Sequence, residues 1–145
     1  MKQFLRSVSF VLALTMCLIL PVSASEEVIP RASNYFGSTC GYLWKVNGTE
    51  FEVWFEVTAV DTMSELGTSV IKVQRSSDNE NWTTMSTYKK EVYPQMIGRN
   101  TGDHSDCVTY YGASSGYYYR AFITFYAKNS SGTGEYYYYT ASIQM

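Results

Sequence analysis

The sequence has few of the residues that most often build catalytic and metal sites. It contains one histidine, His104, and three cysteines, none of which stands in a Cys-x-x-Cys pair. Glycine-rich phosphate-binding loops are also absent from the sequence. A structural zinc site needs four cysteine or histidine ligands, so the sequence predicts neither a metal centre nor a bound cofactor.

Basic residues are too few for a nucleic-acid-binding surface. The whole chain has 11 basic and 13 acidic side chains. Without residues 1–24, nine basic side chains (11 minus Lys2 and Arg6) face 13 acidic ones. Because neutralised phosphates supply most non-specific affinity for nucleic acids, we expect no nucleic-acid partner.

Residues 1–24 have the three-part pattern of a secretory signal peptide. Lys2 and Arg6 precede an uncharged apolar run over residues 8–20, and Ala24 ends the small-residue segment where cleavage is expected. This run is shorter than the roughly twenty residues that a membrane-spanning helix needs. We therefore expect a secreted protein, extracellular or associated with the cell wall, without stable membrane insertion.

Two alternatives for the N-terminus remain open at this stage. The apolar run can act as a membrane anchor if it is not cleaved, or Cys17 can carry a lipid. The residues before Cys17 faintly resemble the lipoprotein signal of bacteria, but Met16 stands where that signal requires a small residue. Ordinary cleavage after Ala24 agrees best with the sequence.

The rest of the chain predicts a flexible segment over residues 25–33 and one all-β domain over residues 34–145. The chain contains 14 tyrosines, three tryptophans and seven phenylalanines, which favour strands. Strands are predicted over 35–46, 51–60, 70–75, 82–88, 107–111, 117–128 and 135–145. Turns are expected near Asn47-Gly48 and over 62–68, and residues 89–105 are expected to be mostly loop. About seven strands at this spacing predict an antiparallel β-sandwich.

Two segments resemble parts of fibronectin type III and related immunoglobulin-like domains. Residues 71–78 with 81–84 are similar to the hairpin of their strands C and C′, and residues 117–132 are similar to strand F and the turn after it. The resemblance implies an immunoglobulin-like sandwich in which Tyr117 or Tyr119 hydrogen-bonds back to the backbone. The whole chain also resembles a family of small secreted proteins of Gram-positive bacteria. That resemblance implies location and fold and no activity.

Cys40 and Cys107 remain after signal cleavage, and an even pair in a secreted domain predicts one disulfide. Such a bond would stabilise the fold by roughly 4 kcal/mol on the chain-entropy model. The alternative, in which the two thiols bind a metal, lacks further ligands.

His104 lies in the run Asp103-His104-Ser105-Asp106, which contains the residue types of a catalytic triad. Triad residues converge from separate elements, so neighbours on one loop do not predict a triad. A calcium site at Asp103 and Asp106 is an alternative, but the spacing differs from that of an EF-hand loop. We expect a solvated loop here, and no enzyme.

Aromatic side chains are the strongest functional feature of the sequence. If the strands over 117–128 and 135–145 pair, Tyr118, Tyr126, Tyr136 and Tyr138 are predicted to form an exposed strip. Such a strip can contact a protein partner or stack on sugar rings, or it can merely stabilise the sheet. The sequence therefore predicts a non-catalytic extracellular binding or structural module that recognises a protein. A carbohydrate-binding module that uses exposed tyrosine and tryptophan faces is the alternative.

Overall fold

A computed structural model describes residues 34–145, so the predicted signal peptide and flexible segment lie outside the described residues. The strands are β1 Phe36–Lys45, β2 Phe51–Ser76, β3 Thr83–Lys89, β4 Ile97–Tyr110, β5 Tyr118–Asn129, β6 Gly132–Tyr139 and β7 Ile143–Gln144. A short 3-10 helix, Pro94–Met96, precedes β4. All seven strands belong to one antiparallel sheet, which confirms the all-β class.

The 26-residue strand β2 organises this sheet. Its first half lies between β1 and β4, and its second half lies between β3 and β5. Its register shifts against β4 between Thr58 and Met63 and against β5 between Thr68 and Val70. Such irregularities bend a strand without ending it. The predicted turn over 62–68 is therefore wrong, because the chain bends there and continues as one strand.

The bend brings the two halves of the sheet together around one core. In the first half of β2, alternate residues from Phe51 to Val57 are buried, as expected for a strand with one apolar face. The Phe51 ring lies 5.3 Å from that of Tyr119 on β5. Gly41 of β1 faces the same strand so closely that a Cβ there would lie 2.5 Å from Cδ1 of Ile123. Because inner side chains of the two halves touch, their outer side chains point in opposite directions.

The predicted loop over 89–105 is only partly correct. Residues 97–105 belong to β4, which pairs with β2 from Gly67↔Ile97 to Phe51↔Tyr110. Polar and glycine residues in this segment hide the alternation that would identify a strand. This segment is a strand because it pairs with β2, which is distant in sequence. A pattern of neighbouring residues cannot reveal such a partner.

Both early hairpins are confirmed, and the second is closed by a side chain. Asp78 accepts hydrogen bonds from the side chain of Asn81 at 2.7 Å and from the backbone N–H groups of Glu80 and Asn81. These hydrogen bonds hold the pKa of Asp78 well below its ordinary value, and the bond from the Asn81 side chain has the largest effect. The carboxylate therefore stays ionised in mild acid, and its contribution to the turn is lost only as the pH falls through that depressed pKa.

Candidate functional site

One outer surface of the sheet combines aromatic side chains with carboxylates. It consists of the outward side chains of β1, the first half of β2 and the paired part of β4, and we call it the acidic face. Its charged residues are Glu52, Glu56 and Asp103, whereas no lysine or arginine occupies an outward position over 38–44, 52–58 or 103–109. Three carboxylates therefore set the sign of its potential.

The aromatic side chains of the acidic face are held in a defined orientation. Tyr42 and Trp54 stand opposite each other across β1 and β2, with centroids 6.4 Å apart and planes within 6° of parallel. Nε1 of Trp54 donates a hydrogen bond to Glu52 at 2.7 Å. Trp44 lies next to this pair and is 62% exposed. The face thus presents ordered ring surfaces beside carboxylate acceptors.

The opposite outer surface of the sheet is predominantly positive. It consists of the outward side chains of β3, β5, β6 and the second half of β2, and we call it the basic face. Its outward strand positions carry four basic residues and two acidic residues, Glu65 and Glu135. The basic residues are Lys72, Lys89, Arg120 and Lys128.

Arg120 is the central residue of the basic face. Its guanidinium carbon lies 4.3 Å from the ring centroid of Trp82 and 4.4 Å from that of Tyr139, and its Nε donates to Oε1 of Gln74 at 2.8 Å. Partial burial lowers the pKa of Arg120, and Tyr139 opposes that shift. Since guanidinium groups stay protonated in proteins, the two rings enclose a permanent positive charge.

Further aromatic rings extend the basic face from Arg120 along β6. Phe122 packs 5.9 Å from Tyr137 with nearly parallel planes and 4.8 Å from Tyr139, and Nζ of Lys72 lies 5.7 Å from its centroid. Tyr137 is 48% exposed and Tyr139 is 53% exposed. Tyr137 and Tyr139 are accessible to a partner, and their contacts with Phe122 restrict their conformations.

The structure divides the predicted tyrosine strip between two sides of the sheet. Tyr118 and Tyr126 lie at outward positions of the basic face. Tyr136 and Tyr138 instead point to the core side, where they pack 6.5 Å from Phe36 and 6.2 Å from Phe125 respectively. The register pairs even-numbered residues of β5 with odd-numbered residues of β6, so Tyr137 and Tyr139 occupy the outward positions.

The predicted disulfide between Cys40 and Cys107 is also absent, and both cysteines are free thiols. Cys40 lies opposite Glu56 and Cys107 lies opposite Trp54, so β2 separates them. Two strand spacings amount to about 10 Å, which exceeds the roughly 7 Å between Cα atoms that a disulfide can bridge. The burial of Cys107 raises the pKa of its thiol, and the nearby carboxylates of Glu52 and Asp106 raise it further.

We expect Cys40→Ser to change the free energy of unfolding by less than about 1 kcal/mol, since no bond is lost, instead of the roughly 4 kcal/mol expected for a disulfide. Alkylation of the folded, unreduced protein should label both cysteines, as peptide mass spectrometry can show. The same treatment after reduction is the control. A cross-linked peptide containing Cys40 and Cys107 would contradict this register.

His104 lies in β4 and not in a loop, and its ring packs 5.8 Å from that of Phe55. Its Nε2 lies 2.9 Å from the carbonyl oxygen of Gln95, to which it donates a hydrogen bond. Its sequence neighbours Asp103 and Ser105 point to the acidic face, whereas His104 points to the core side. Strand alternation thus separates the residues that suggested a triad.

The described residues contain neither a metal-binding cluster nor a membrane-spanning helix. No group of three or more histidine, cysteine, aspartate or glutamate side chains within 34–145 is placed to hold a metal ion. No helix in this part of the chain has the length and apolar character needed to cross a membrane.

No family model matches the chain, and no curated protein matches it. Among solved structures, the chain is similar to the crystal structure of Spo0M, a sporulation control protein from Bacillus subtilis. The similarity has a TM-score of 0.40 and 10% sequence identity, and it covers 71% of this chain and 48% of that one. The chain thus spans about half the length of the Spo0M chain.

Proposed function

We propose that this chain is a secreted, non-catalytic module that binds another protein outside the cell. The signal-peptide pattern of residues 1–24 supports export. A role of His104 in packing supports the absence of catalysis, because its imidazole is engaged with the backbone of Gln95 and with Phe55. We further propose that the fold is a variant of the immunoglobulin-like sandwich in which β2 serves both layers.

The observation that carries this proposal is the arrangement around Arg120 on the basic face. Arginine, tyrosine and tryptophan are the residue types that dominate binding energy at protein interfaces. Here Arg120 contacts both Trp82 and Tyr139 before any partner binds. Binding would therefore cost little side-chain entropy, which favours affinity.

A carbohydrate-binding function is the second candidate, and the acidic face favours it. Rings of Tyr42 and Trp54 within 6° of parallel offer flat surfaces on which sugar rings can stack. Glu52 and Glu56 lie at outward positions of the same strand, where their carboxylates can accept hydrogen bonds from sugar hydroxyl groups. Trp44 extends the aromatic surface.

One binding experiment with two variants tests both candidates. The protein, expressed from its full sequence and purified, is incubated with bacterial surface-protein extracts and with insoluble cell-wall and plant polysaccharides. We expect the Arg120→Ala/Tyr139→Ala variant to lose at least about 90% of the captured protein, because the central contact of the basic face is removed. Tyr42→Ala/Trp54→Ala alters the acidic face and should leave that capture unchanged if one protein binds the basic face alone.

The same experiment has clear contrary outcomes. Retention on a polysaccharide that only Tyr42→Ala/Trp54→Ala abolishes would favour the carbohydrate-binding function. If neither variant reduces capture of any protein or polysaccharide, these faces do not bind ligands in the proposed way. Circular dichroism of both variants is the control for folding.

A further inference from the structure

We propose that the protein partner is a second copy of this chain, whose acidic face docks on the basic face of the first copy. This inference rests on the proposed function and adds the identity of the partner. It starts from the separation of charge between the two outer surfaces, which no pattern in the linear sequence reveals.

The charges of the two faces are complementary. The acidic face carries three carboxylates and no basic side chain at its outward strand positions, whereas the basic face carries four basic side chains and two carboxylates, Glu65 and Glu135, at its own outward positions. Glu56 and Asp103 on one face and Lys89 and Lys128 on the other are exposed, so these charges can meet without rearrangement. Complementary potentials accelerate association and fix the orientation of the partners.

Both faces also supply the apolar contact area that charge alone does not provide. Trp44 projects from the acidic face at 62% exposure, and Tyr139 projects from the basic face at 53% exposure. A free surface with several exposed aromatic rings beside charged side chains has the residue types of a protein interface. When the two faces meet, the aromatic rings and Arg120 are buried together, and the exposed lysines of one copy pair with the exposed carboxylates of the other.

The position of the faces determines the kind of assembly. Because the inner side chains of the two halves of the sheet share one core, the two faces lie on opposite sides of the domain. One chain can then bind a neighbour on each side at the same time. A contact between two different surfaces of identical chains does not close on itself unless its rotation forms a ring, so it generates open oligomers.

The test compares charge-reversal variants of the protein expressed from its full sequence. We expect the weight-average mass of the unaltered protein, measured by analytical ultracentrifugation, to rise continuously from micromolar to millimolar concentration and to fall in high salt. Glu56→Lys/Asp103→Lys gives two basic faces, and Lys89→Glu/Lys128→Glu gives two acidic faces. Each variant alone should self-associate at least about tenfold more weakly than the unaltered protein. An equimolar mixture of the two variants should recover association, because the basic faces of one can bind the acidic faces of the other.

Glu80→Lys/Glu91→Lys is the matched control, because it makes the same change in net charge as Glu56→Lys/Asp103→Lys at exposed positions outside both faces. It should associate like the unaltered protein. A monomer at every concentration, or a dimer that neither charge-reversal variant weakens, would overturn the self-association. Capture of another protein through Arg120 and Tyr139 would survive that result, so the two proposals can fail separately.

Discussion

Phe51→Ala should lower the free energy of unfolding by about 3–5 kcal/mol, the cost of removing a fully buried aromatic ring and leaving a cavity. Phe51 is 0% exposed, and its ring lies 5.2 Å from that of Tyr110 and 5.3 Å from that of Tyr119. These contacts join the first half of β2 to β4 and to β5. The substitution therefore weakens the packing between the two halves of the curled sheet as well as that within one half.

Urea denaturation followed by tryptophan fluorescence measures this effect, and Phe122→Ala provides the control. Phe122 is the same residue type on the outer face of β5, where it is only partly buried. We expect Phe122→Ala to cost about 0.5–1.5 kcal/mol, mostly through its contacts with Tyr137 and Tyr139. Equal losses for the two variants would mean that Phe51 does not hold the two halves of the sheet together.

The strand that begins at Phe51 could be predicted from the sequence. Strict alternation from Phe51 to Val57 predicts a strand with one buried face, and the Asn47-Gly48 turn before it predicts a hairpin, and both are present. Both signals are local. A strand buried on one face has only one side on which its apolar residues can lie, so alternation identifies the core positions without knowledge of the partner strands.

The sequence could not predict which tyrosines of β5 and β6 face outward. The repeated tyrosines of β5 and β6 are apolar enough to face either side, so composition does not determine which of them are exposed. Their register depends on the turn, and the structure closes it with a two-residue loop between Asn129 and Gly132. A turn predicted only as residues 129–134 leaves the register undetermined by one residue, and a shift of one residue exchanges the two faces.

The bend in β2 escapes prediction because its residues are typical of a turn. Ser64, Gly67 and Thr68 interrupt the apolar alternation, and a pattern of this kind usually ends a strand. The pairing partners on both sides continue through the bend, with Arg99 and Lys128 flanking Glu65. Hydrogen bonds to two neighbouring strands outweigh the local preference of these residues.

Gly67→Ala should destabilise the protein by about 3 kcal/mol or more, because the bend places backbone against backbone at this position. A Cβ on Gly67 would overlap the carbonyl oxygen of Met96, in the short helix before β4. Gly67 also has φ +155°, a value that other residues rarely adopt. Met96 is fully buried, so the carbonyl cannot retreat without removing that side chain from the core.

Substitutions at two other glycines distinguish the effect of backbone strain from that of the contact with Met96 on stability. Gly116 has φ +85° but open space where a Cβ would lie, so Gly116→Ala isolates the backbone strain, which should cost about 1–2 kcal/mol. A Cβ on Gly102 of β4 would have its nearest neighbour, the carbonyl oxygen of Asp61, at 4.0 Å, so Gly102→Ala should change stability by less than about 0.5 kcal/mol. Urea denaturation should rank the losses in the order Gly67, Gly116 and Gly102. If Gly67→Ala costs no more than Gly116→Ala, the contact with Met96 does not hold the bend, and the separation of the two charged faces must depend on other contacts along β2.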